Sequence, residues 1–293
     1  MDFQLTADQR ALKAGVRELL EGRFDGSVLR EAAGAGAPSL DRALWRELGD
    51  AGFFALRVPE EEGGVGLGLP EAVLAFEEAG RALLPGPLVA TFLAAGEVTG
   101  AAQGATVVTA VSDGGLVPWL DEADVVRGEA AGAVPLRSVD PLTPLHRVPG
   151  GGAVASSTAA LEAELLIAAE QLGSAGKTCE TAVRYARERT QFGQPIGAFQ
   201  AVKHLCAQML VRTEVARAAV YAASVTGDAQ EIAGARLLAD DAAARGARDC
   251  LQVHGGMGFT WEADVHLHLK RAWVRAGLGR SAARAEEELA AAL

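Results

Sequence analysis

Apolar positions at helical spacing dominate the first hundred residues. Leu12, Val16, Leu19 and Leu20 recur at intervals typical of one helix face, and Thr6 followed by Gln9 predicts the N-cap of that helix, as in a capping box. Further apolar runs bounded by Gly and Pro predict three more helices, after a loop or broken helix. The loop or broken helix covers Gly22–Pro38, and the helices cover Leu40–Ala51, Glu71–Leu84 and Leu88–Gly96. Residues 1–99 are therefore predicted to form an N-terminal helical domain.

The pattern changes near Gly100. Ala105–Val111 is rich in β-branched residues and predicts a strand. Short apolar pieces separated by Asp, Gly and Pro follow at Gly115–Leu120, Asp124–Val126 and Val134–Leu136. These pieces are too short for a substantial barrel. Residues 100–152 are therefore predicted to form a shortened β and loop segment in the middle of the chain.

Helical spacing returns from Ser157 onward. A first helix is predicted with one apolar face made by Leu161, Leu165, Leu166, Ala169 and Leu172. A second runs over Ala201–Thr226, with Val202, Leu205, Met209 and Val215 predicted to be buried. A third covers Ala229–Val253, and a last helical region follows Trp261. Short turns between long helices predict a four-helix bundle over residues 153–293, and a fold that is mainly α.

The joint between the first two helices of this bundle is a polar stretch, Arg187–Gln200. Phe192-Gly193 and Pro195-Ile196 break the helical periodicity there. Such a joint can present the guanidinium of Arg189 and the amide of Gln191 at a turn, which suits a phosphate or carboxylate ligand. The alternative interpretation is an ordinary helix–helix corner with a solvated arginine.

Three motifs together resemble the acyl-CoA dehydrogenase family. Arg189–Gln200 resembles its R-x-Q-F-G-x-x-I-x-x-x-Q signature, Gln252–Phe259 its C-terminal glycine motif, and the acidic, glycine-rich Val58–Leu67 its N-terminal loop. The three occur in family order. The resemblance implies an N-terminal helical domain, a middle β-domain that holds FAD and the acyl thioester, and a C-terminal four-helix domain. The implied chemistry removes a proton from the acyl α-carbon while hydride leaves the β-carbon for the flavin.

The chain departs from the family where that proton would be taken. The family's usual glutamate position falls at Gly279, and the position used by a minority of members falls at Ala163. Glu162 and Glu164 flank Ala163 but are predicted to point about 100° away around the helix. The family's middle-domain flavin motifs find no match here. The resemblance therefore implies that this chain has no catalytic base, and that alone it does not hold a flavin ring.

The chain keeps residues that serve a neighbouring subunit in the family. In the R-x-Q-F-G and Q-x-x-G-G motifs these residues reach across an interface to the pyrophosphate and adenosine of the neighbour's FAD. The matching residues here are predicted to be cofactor-binding: Arg189, Gln191, Phe192, Phe199, Gln200, Gln252, Gly255 and Gly256. Thus the chain keeps the part that completes another subunit's site.

Composition and charge narrow the choice of partners. The chain has 293 residues, is 49% hydrophobic and carries a net charge of −11. An acidic balance without basic patches argues against nucleic acid and anionic membranes, and no apolar run predicts a signal or a membrane span. Cys179, Cys206 and Cys250 form no C-x-x-C pair, so neither disulfides nor zinc are indicated. A cytoplasmic protein is predicted.

The histidines and the basic residues near the C-terminus add no site of their own. His266 and His268 are two apart and fall on different helix faces, so no metal is predicted. Lys270, Arg271 and Arg275 are predicted to be a solvated face.

Three functions remain open. The first is a base-lacking subunit of a heteromeric FAD-dependent acyl-CoA dehydrogenase, in an α2β2 heterotetramer whose partner supplies the glutamate and holds most of a bulky acyl-CoA, such as a steroid side-chain thioester. Electron-transfer flavoprotein is the implied acceptor. The second is a homomeric dehydrogenase that uses Glu162 or Glu164 as its base. The third is a non-catalytic scaffold subunit.

Overall fold

The computed structural model describes residues 4–36, 38–151 and 157–292. Within these ranges long helices alternate with a small β region. The helices are α1 (Ala7–Arg23), α2 (Gly26–Gly34), α3 (Arg42–Asp50), α4 (Leu69–Ala82), α5 (Leu88–Ala94), α6 (Thr158–Glu188), α7 (Gln200–Thr226), α8 (Ala229–His254), α9 (Val265–Ala276) and α10 (Ala282–Ala291). The strands are β1 (Val108–Ala110), β2 (Leu116–Pro118), β3 (Val125–Arg127), β4 (Val134–Leu136), β5 (Leu145–Arg147), β6 (Thr190–Gln191) and β7 (Gln194–Pro195). The prediction of a mainly α fold is confirmed.

The first three helices begin at side-chain caps. Thr6 Oγ1 accepts from the Gln9 N–H at 3.1 Å and Gln9 Oε1 accepts from the Thr6 N–H at 3.0 Å, which confirms the predicted capping box. Of the two alternatives predicted for residues 22–38, a loop or a broken helix, the structure shows the broken helix: α1 ends at Arg23, and Asp25 accepts from the N–H groups of Ser27 and Val28 and starts α2. This glycine-containing helix has a weak sequence signal, and it is stabilised by burying Leu29 and Ala33.

Helix α4 crosses α6 with the two backbones in close contact. Gly80 of α4 faces the backbone of Glu170, and Gly173 of α6 faces the carbonyl of Glu77, so that a Cβ at either glycine would overlap the opposite backbone. Only glycine permits this approach. The N-terminal helices and the C-terminal bundle consequently share one apolar core, in which Phe76 of α4 and Leu165 of α6 are both fully buried.

The middle segment consists of two very small sheets. Strands β1 and β3 pair in parallel, while β2, β5 and β4 form an antiparallel sheet in that order. Each strand has three residues, so the strand predicted over Ala105–Val111 is shorter than expected. The predicted apolar pieces at 115–120 and 134–136 contain β2 and β4, and the piece at 124–126 overlaps β3, which ends one residue later. The predicted boundary between residues 152 and 153 lies outside the described residues.

The C-terminal bundle packs α6, α7, α8 and α9 side by side. Helix α7 buries Met209, Thr213, Ala216 and Val220, which are three or four residues apart. The predicted burial of Met209 is confirmed, and Val202 and Leu205 are half-buried. The prediction for Val215 is wrong, since this residue lies one position off the buried stripe and is 49% exposed. No helix in the described ranges is long and apolar enough to cross a membrane.

Candidate functional site

The polar stretch after α6 forms a compact hairpin at one end of the bundle. Strands β6 and β7 pair antiparallel around Phe192-Gly193, with Gln191 opposite Gln194. Phe192 has a left-handed φ of +52°, and its ring is 90% exposed. A non-glycine residue rarely holds this conformation, and here the hairpin imposes it. A 3₁₀ turn over Ile196–Ala198 then leads into α7.

The C-terminal glycine motif lies at the same end of the bundle as this hairpin. The ring of Tyr185, four residues before Arg189, stacks on His254 with 4.1 Å between centroids and 21° between planes. Ala186, Leu251 and Val253 belong to one apolar cluster, against which Ile196 packs. The structure therefore brings together the two motifs that the sequence separates by more than fifty residues.

Most of the predicted cofactor-binding side chains at this end are exposed. The side chain of Arg189 has no hydrogen bond or ion pair among the described residues. Gln191 donates to its neighbour Thr190, and Gln200 lies 2.9 Å from His204.

The aromatic residues and the glycine motif complete this end of the bundle. Phe199 meets Phe192 edge to face with 6.0 Å between ring centroids, and is half-buried. Gln252, Gly255 and Gly256 are exposed at the end of α8. A surface of this kind can receive a ligand from outside the chain.

The N-terminus of α7 adds to the positive character of this end. Helix α7 is 27 residues long, and its N-cap, Phe199, provides no side-chain hydrogen bond to the free N–H groups of the first turn. Such N–H groups and the helix dipole favour an anion. An unpaired guanidinium at Arg189, an uncapped helix and two exposed glycines fit the diphosphate of a dinucleotide such as FAD.

A cavity of about 1050 Å³ lies at the other side of α6, between that helix, the middle segment and α9. Leu88, Val111, Leu161, Ile167 and Val274 form part of its apolar wall. The two positions at which the resemblance places a base, Ala163 and Gly279, both line this cavity. The sequence separates them by more than a hundred residues, and the fold brings both to one space.

The prediction that Glu164 points elsewhere is wrong. Glu164 is buried, lines the cavity and lies against Gly279, where a Cβ would overlap its Oε1. Its two oxygens are both occupied: Oε2 accepts from Arg236 Nη1 at 2.6 Å, and Oε1 accepts from the Arg280 N–H at 2.6 Å. Glu162 lies outside the cavity lining and pairs with Arg57 at 2.7 Å. Helix geometry alone could not foresee the turn after α9 that folds over Glu164.

The prediction of a solvated face for Arg271 and Arg275 is also wrong. Both are at most 4% exposed and form buried ion pairs, Arg271 with Asp140 and Arg275 with Glu170. Both arginines line the cavity as well. The sequence did contain a signal for their burial. Arg271 and Arg275 follow Leu267 by four and eight residues, and therefore lie on the same helix face as this buried leucine. Lys270 differs from them, with its ammonium 4.9 Å from the centre of the Trp261 ring.

Histidines and acidic residues do not gather into a metal site. Among the residues that the structure describes, no group of three or more His, Cys, Asp or Glu side chains could hold a metal ion. His268 is instead a core residue, with Nδ1 2.8 Å from Ser174 Oγ. Complete burial lowers the pKa of His268 to about 3, and the nearby charges of Lys177, Arg275, Arg271 and Arg81 act in the same direction.

His268 makes the stability of the chain depend on pH. Unfolded histidine has a pKa of about 6.5. Below that pH the unfolded state therefore binds a proton at His268 that the folded state does not bind. The contribution of neutral His268 is complete above pH 6.5 and is lost as the pH falls toward 3. Between pH 6.5 and 4.5 we expect a loss of about 2–3 kcal/mol in the free energy of unfolding. Urea unfolding at several pH values measures it.

The matched control is His204, which is exposed on α7. His268→Gln should flatten the pH dependence of unfolding between pH 6.5 and 4.5, whereas His204→Gln should leave the slope of the parent chain unchanged. Equal slopes for the parent chain and His268→Gln would contradict the assignment.

Comparison with known proteins agrees with this architecture. Residues 6–104 match the family model for the acyl-CoA dehydrogenase N-terminal domain, and residues 150–283 match that for the acyl-CoA dehydrogenase C-terminal domain. Together the two matches cover well over half of the chain. The hairpin, the glycine motif, Ala163 and Gly279 all lie in the second match.

Whole-chain relatives were found as well. The chain is 36% identical over 295 residues to the acyl-CoA dehydrogenase IpdE2 of Mycobacterium tuberculosis, covering 90% of this chain and 91% of that protein. Its fold is similar to that of the ChsE4–ChsE5 complex of Mycobacterium tuberculosis, with a TM-score of 0.85, 24% identity and coverage of 99% and 98%. The Tcur3481–Tcur3483 steroid ACAD gives a TM-score of 0.82, 23% identity and coverage of 97% and 96%. On the two family models and this identity to IpdE2, the chain belongs to the acyl-CoA dehydrogenase family.

Proposed function

We propose that the chain is the base-lacking subunit of a heteromeric FAD-dependent acyl-CoA dehydrogenase. The observation that carries this proposal is the state of the carboxylates around the cavity. Position 163 is alanine and position 279 is glycine, and each acid that lines the cavity in the described ranges already has a donor. Asp113 pairs with Arg284, Glu129 accepts from the Ala131 N–H, Glu164 is held by Arg236 and Arg280, Glu170 pairs with Arg275, and Glu288 pairs with Arg280 and Arg284.

A general base needs a carboxylate oxygen that is free to accept a proton from the substrate. In Glu164 both carboxylate oxygens already accept a hydrogen bond, one from Arg236 and one from the Arg280 N–H, so neither is free for that task. The catalytic glutamate therefore comes from a partner subunit of the same family. That partner also holds the flavin ring and most of the acyl-CoA, because the middle segment of this chain is reduced to two small sheets.

The hairpin end of the bundle completes the partner's FAD site. Arg189 and the first N–H groups of α7 would bind the diphosphate, and Gly255-Gly256 would let the dinucleotide approach the backbone. Gln191, Gln200 and Gln252 supply amide groups for the nucleotide, and Phe192 and Phe199 supply an apolar edge. When bound, FAD supplies the hydride acceptor for α,β-dehydrogenation of the thioester.

Relatives suggest the kind of complex and substrate. ChsE4–ChsE5 is a complex of two chains by its name, and Tcur3481–Tcur3483 is called a steroid ACAD. By analogy, this chain forms an α2β2 heterotetramer that acts on a bulky acyl-CoA such as a steroid side-chain thioester. Electron-transfer flavoprotein is the acceptor in this proposal.

A homomeric dehydrogenase is the second candidate, and one observation favours it. Glu164 lies in the cavity beside Gly279, close to where the family's base would be. This candidate requires the chain alone to bind FAD and to turn over acyl-CoA. A scaffold subunit, the third candidate, would contribute nothing to FAD binding by its partner.

Flavin content separates these candidates. We expect the chain expressed alone to be colourless, and a complex with its proposed acyl-CoA dehydrogenase partner to carry one FAD per heterodimer. Within that complex, Arg189→Ala removes a charge-assisted contact worth about 1.5–3 kcal/mol, which weakens FAD binding about ten- to hundredfold. Arg189→Lys should restore binding in part, because lysine lacks the planar fork. FAD retention during dilution or dialysis measures the effect.

Arg187→Ala is the matched control, since it removes the same charge two residues earlier and is equally exposed. It should change FAD affinity less than about twofold, as expected of a surface charge in salt. A yellow, active isolated chain would favour the homomeric candidate. Equal FAD affinity in the parent complex and Arg189→Ala would remove Arg189 from the site and favour the scaffold.

A further inference from the structure

A second cavity, of about 490 Å³, lies between the N-terminal helices and the bundle, away from the cavity that contains Ala163 and Gly279. Helices α1, α4, α6 and α9 all contribute to its wall. Lys177 of α6 lines this space and is half-buried. The proposed function gives no role to this lysine or to this cavity.

Of the carboxylates around Lys177, Glu78 and Glu180 are engaged by arginines, whereas Glu21 of the same cavity wall has no arginine partner among the described residues. Arg17 holds Glu78 through two hydrogen bonds of 2.7 Å, and Arg81 holds both oxygens of Glu180. Lys177 itself has no hydrogen bond or ion pair among the described residues. Lys177 is therefore an amine without an ion pair, although Glu180 and Glu21 lie close enough to act on its charge.

The surroundings also favour the uncharged amine. Burial lowers the pKa of Lys177, and the positive charges of Arg81 and Arg184 lower it further, against a smaller opposing effect of Glu180 and Glu21. A neutral lysine amine is a nucleophile, whereas an ammonium is not. Arg184 is exposed at the same cavity and has no acidic partner among the described residues, so it is free to attract an anionic reagent.

We propose that Lys177 is a site of covalent acylation by acyl-CoA thioesters. The amine nitrogen attacks the thioester carbonyl carbon, a C–N bond forms, the C–S bond breaks, and CoA leaves as the thiol after taking up the proton released by nitrogen. The step needs no oxidant or reductant. The CoA phosphates are drawn to the unpaired Arg184, which brings the thioester to the cavity that contains the amine. This inference goes beyond the proposed function and holds for either subunit arrangement.

The chain contains its own reference lysines, because it has four lysines in all. Lys13 is bound to Glu77 at 2.6 Å and to Tyr221 at 3.0 Å, and Lys270 lies over the Trp261 ring. Lys203 is exposed on the first turn of α7 and serves as the ordinary solvent lysine. The four therefore report a partly buried amine, an ion-paired amine, a ring-bound amine and a free amine in one experiment.

The test incubates the full chain, alone and in complex with its partner, with acetyl-CoA at pH 8. Digestion after glutamate and mass spectrometry then give the acyl occupancy at each lysine over time. Because the pKa of Lys177 is lowered, chiefly by burial, a larger fraction of its amine is neutral at pH 8 than in an ordinary lysine, and we expect Lys177 to react at least about fivefold faster than Lys203. Lys13 and Lys270 should react more slowly than Lys203.

S-acetyl-N-acetylcysteamine, a thioester without phosphates, separates the reactivity of the Lys177 amine from the attraction of CoA phosphates by Arg184. Faster labelling of Lys177 than of Lys203 with both reagents supports a reactive amine. Faster labelling with acetyl-CoA alone supports recognition of the phosphates by Arg184. Arg184→Gln should slow acetyl-CoA labelling of Lys177 about two- to fivefold and leave Lys203 unchanged. Labelling of Lys177 no faster than Lys203 with both reagents overturns the proposal and leaves the FAD assignment untouched.

Discussion

Replacing Asp140 with alanine is expected to lower the free energy of unfolding by about 3–5 kcal/mol, because it leaves the buried guanidinium of Arg271 without its counter-charge. Asp140 is 1% exposed and accepts hydrogen bonds from Arg271, Thr143 Oγ1 and the Leu142 N–H. Burial alone would raise the pKa of Asp140, but the Arg271 charge and these donors outweigh it and hold the pKa below its usual 3.8. Urea unfolding of the purified protein measures the loss.

The same substitution at an exposed ion pair gives the control. Asp241 pairs with Arg245 one turn later on α8, and both are largely exposed, so Asp241→Ala should cost only about 0–1 kcal/mol. The double variant Asp140→Leu/Arg271→Met removes both charges together and should recover part of the loss. A cost below 1 kcal/mol for Asp140→Ala would mean that water reaches Arg271 and that the middle segment is not tied to α9 by this pair.

Replacing Gly173 with alanine is expected to cost about 3 kcal/mol or more, at the upper end of what overpacking of a core does. A Cβ there would overlap the carbonyl oxygen of Glu77, and backbone atoms cannot move aside as a flexible side chain does. The two helices must separate, and the shared core around Phe76 and Leu165 then loses contact. Thermal and urea unfolding measure the cost.

The control is Gly176, one turn further along α6, where the same substitution is expected to raise the free energy of unfolding and not to lower it. A Cβ at Gly176 comes no closer than 3.8 Å to Arg217 Nη2. Gly176→Ala should therefore stabilise the chain by about 0.4–1 kcal/mol, because alanine loses less backbone entropy in a helix. If both glycine variants were stabilised, helix propensity alone would govern α6 and the close crossing with α4 would be absent.

The sequence predicted the order of the elements well because the signals for helices are local. The capping box at Thr6 depends on two residues three apart, and the long helices of the bundle depend on apolar positions three and four apart. The polar stretch Arg187–Gln200 and the C-terminal glycine motif were predicted to contribute to one FAD site. The stacking of Tyr185 on His254 places both at the same end of the bundle. Their role in binding FAD stays a prediction.

The predictions that were wrong concern charged residues whose partners are distant in the sequence. Arg271 is separated from Asp140 by 131 positions and Arg275 from Glu170 by 105, so the local pattern that puts both arginines on the face of Leu267 could not show which acids pair with them. Glu164 was misplaced for the same reason, since Arg236 and the backbone of Arg280 draw its carboxylate toward Gly279. Burial of charge depends on tertiary pairing, and a rule that treats charged residues as solvated fails at such pairs.

The turn after α9 has a consequence for how this protein can evolve. Position 279 holds a left-handed φ of +92°, and Glu164 occupies the space that its side chain would need. A mutation from glycine to glutamate there would strain the backbone and collide with Glu164, while removal of Glu164 alone would take from the buried Arg236 one of its two carboxylate partners and leave only Asp240. Under the proposed function, regaining a glutamate at position 279 therefore requires two changes, each harmful by itself, and the chain would still need its partner to hold the flavin ring. The gene and that of its partner are thus expected to be gained, lost and inherited as a unit.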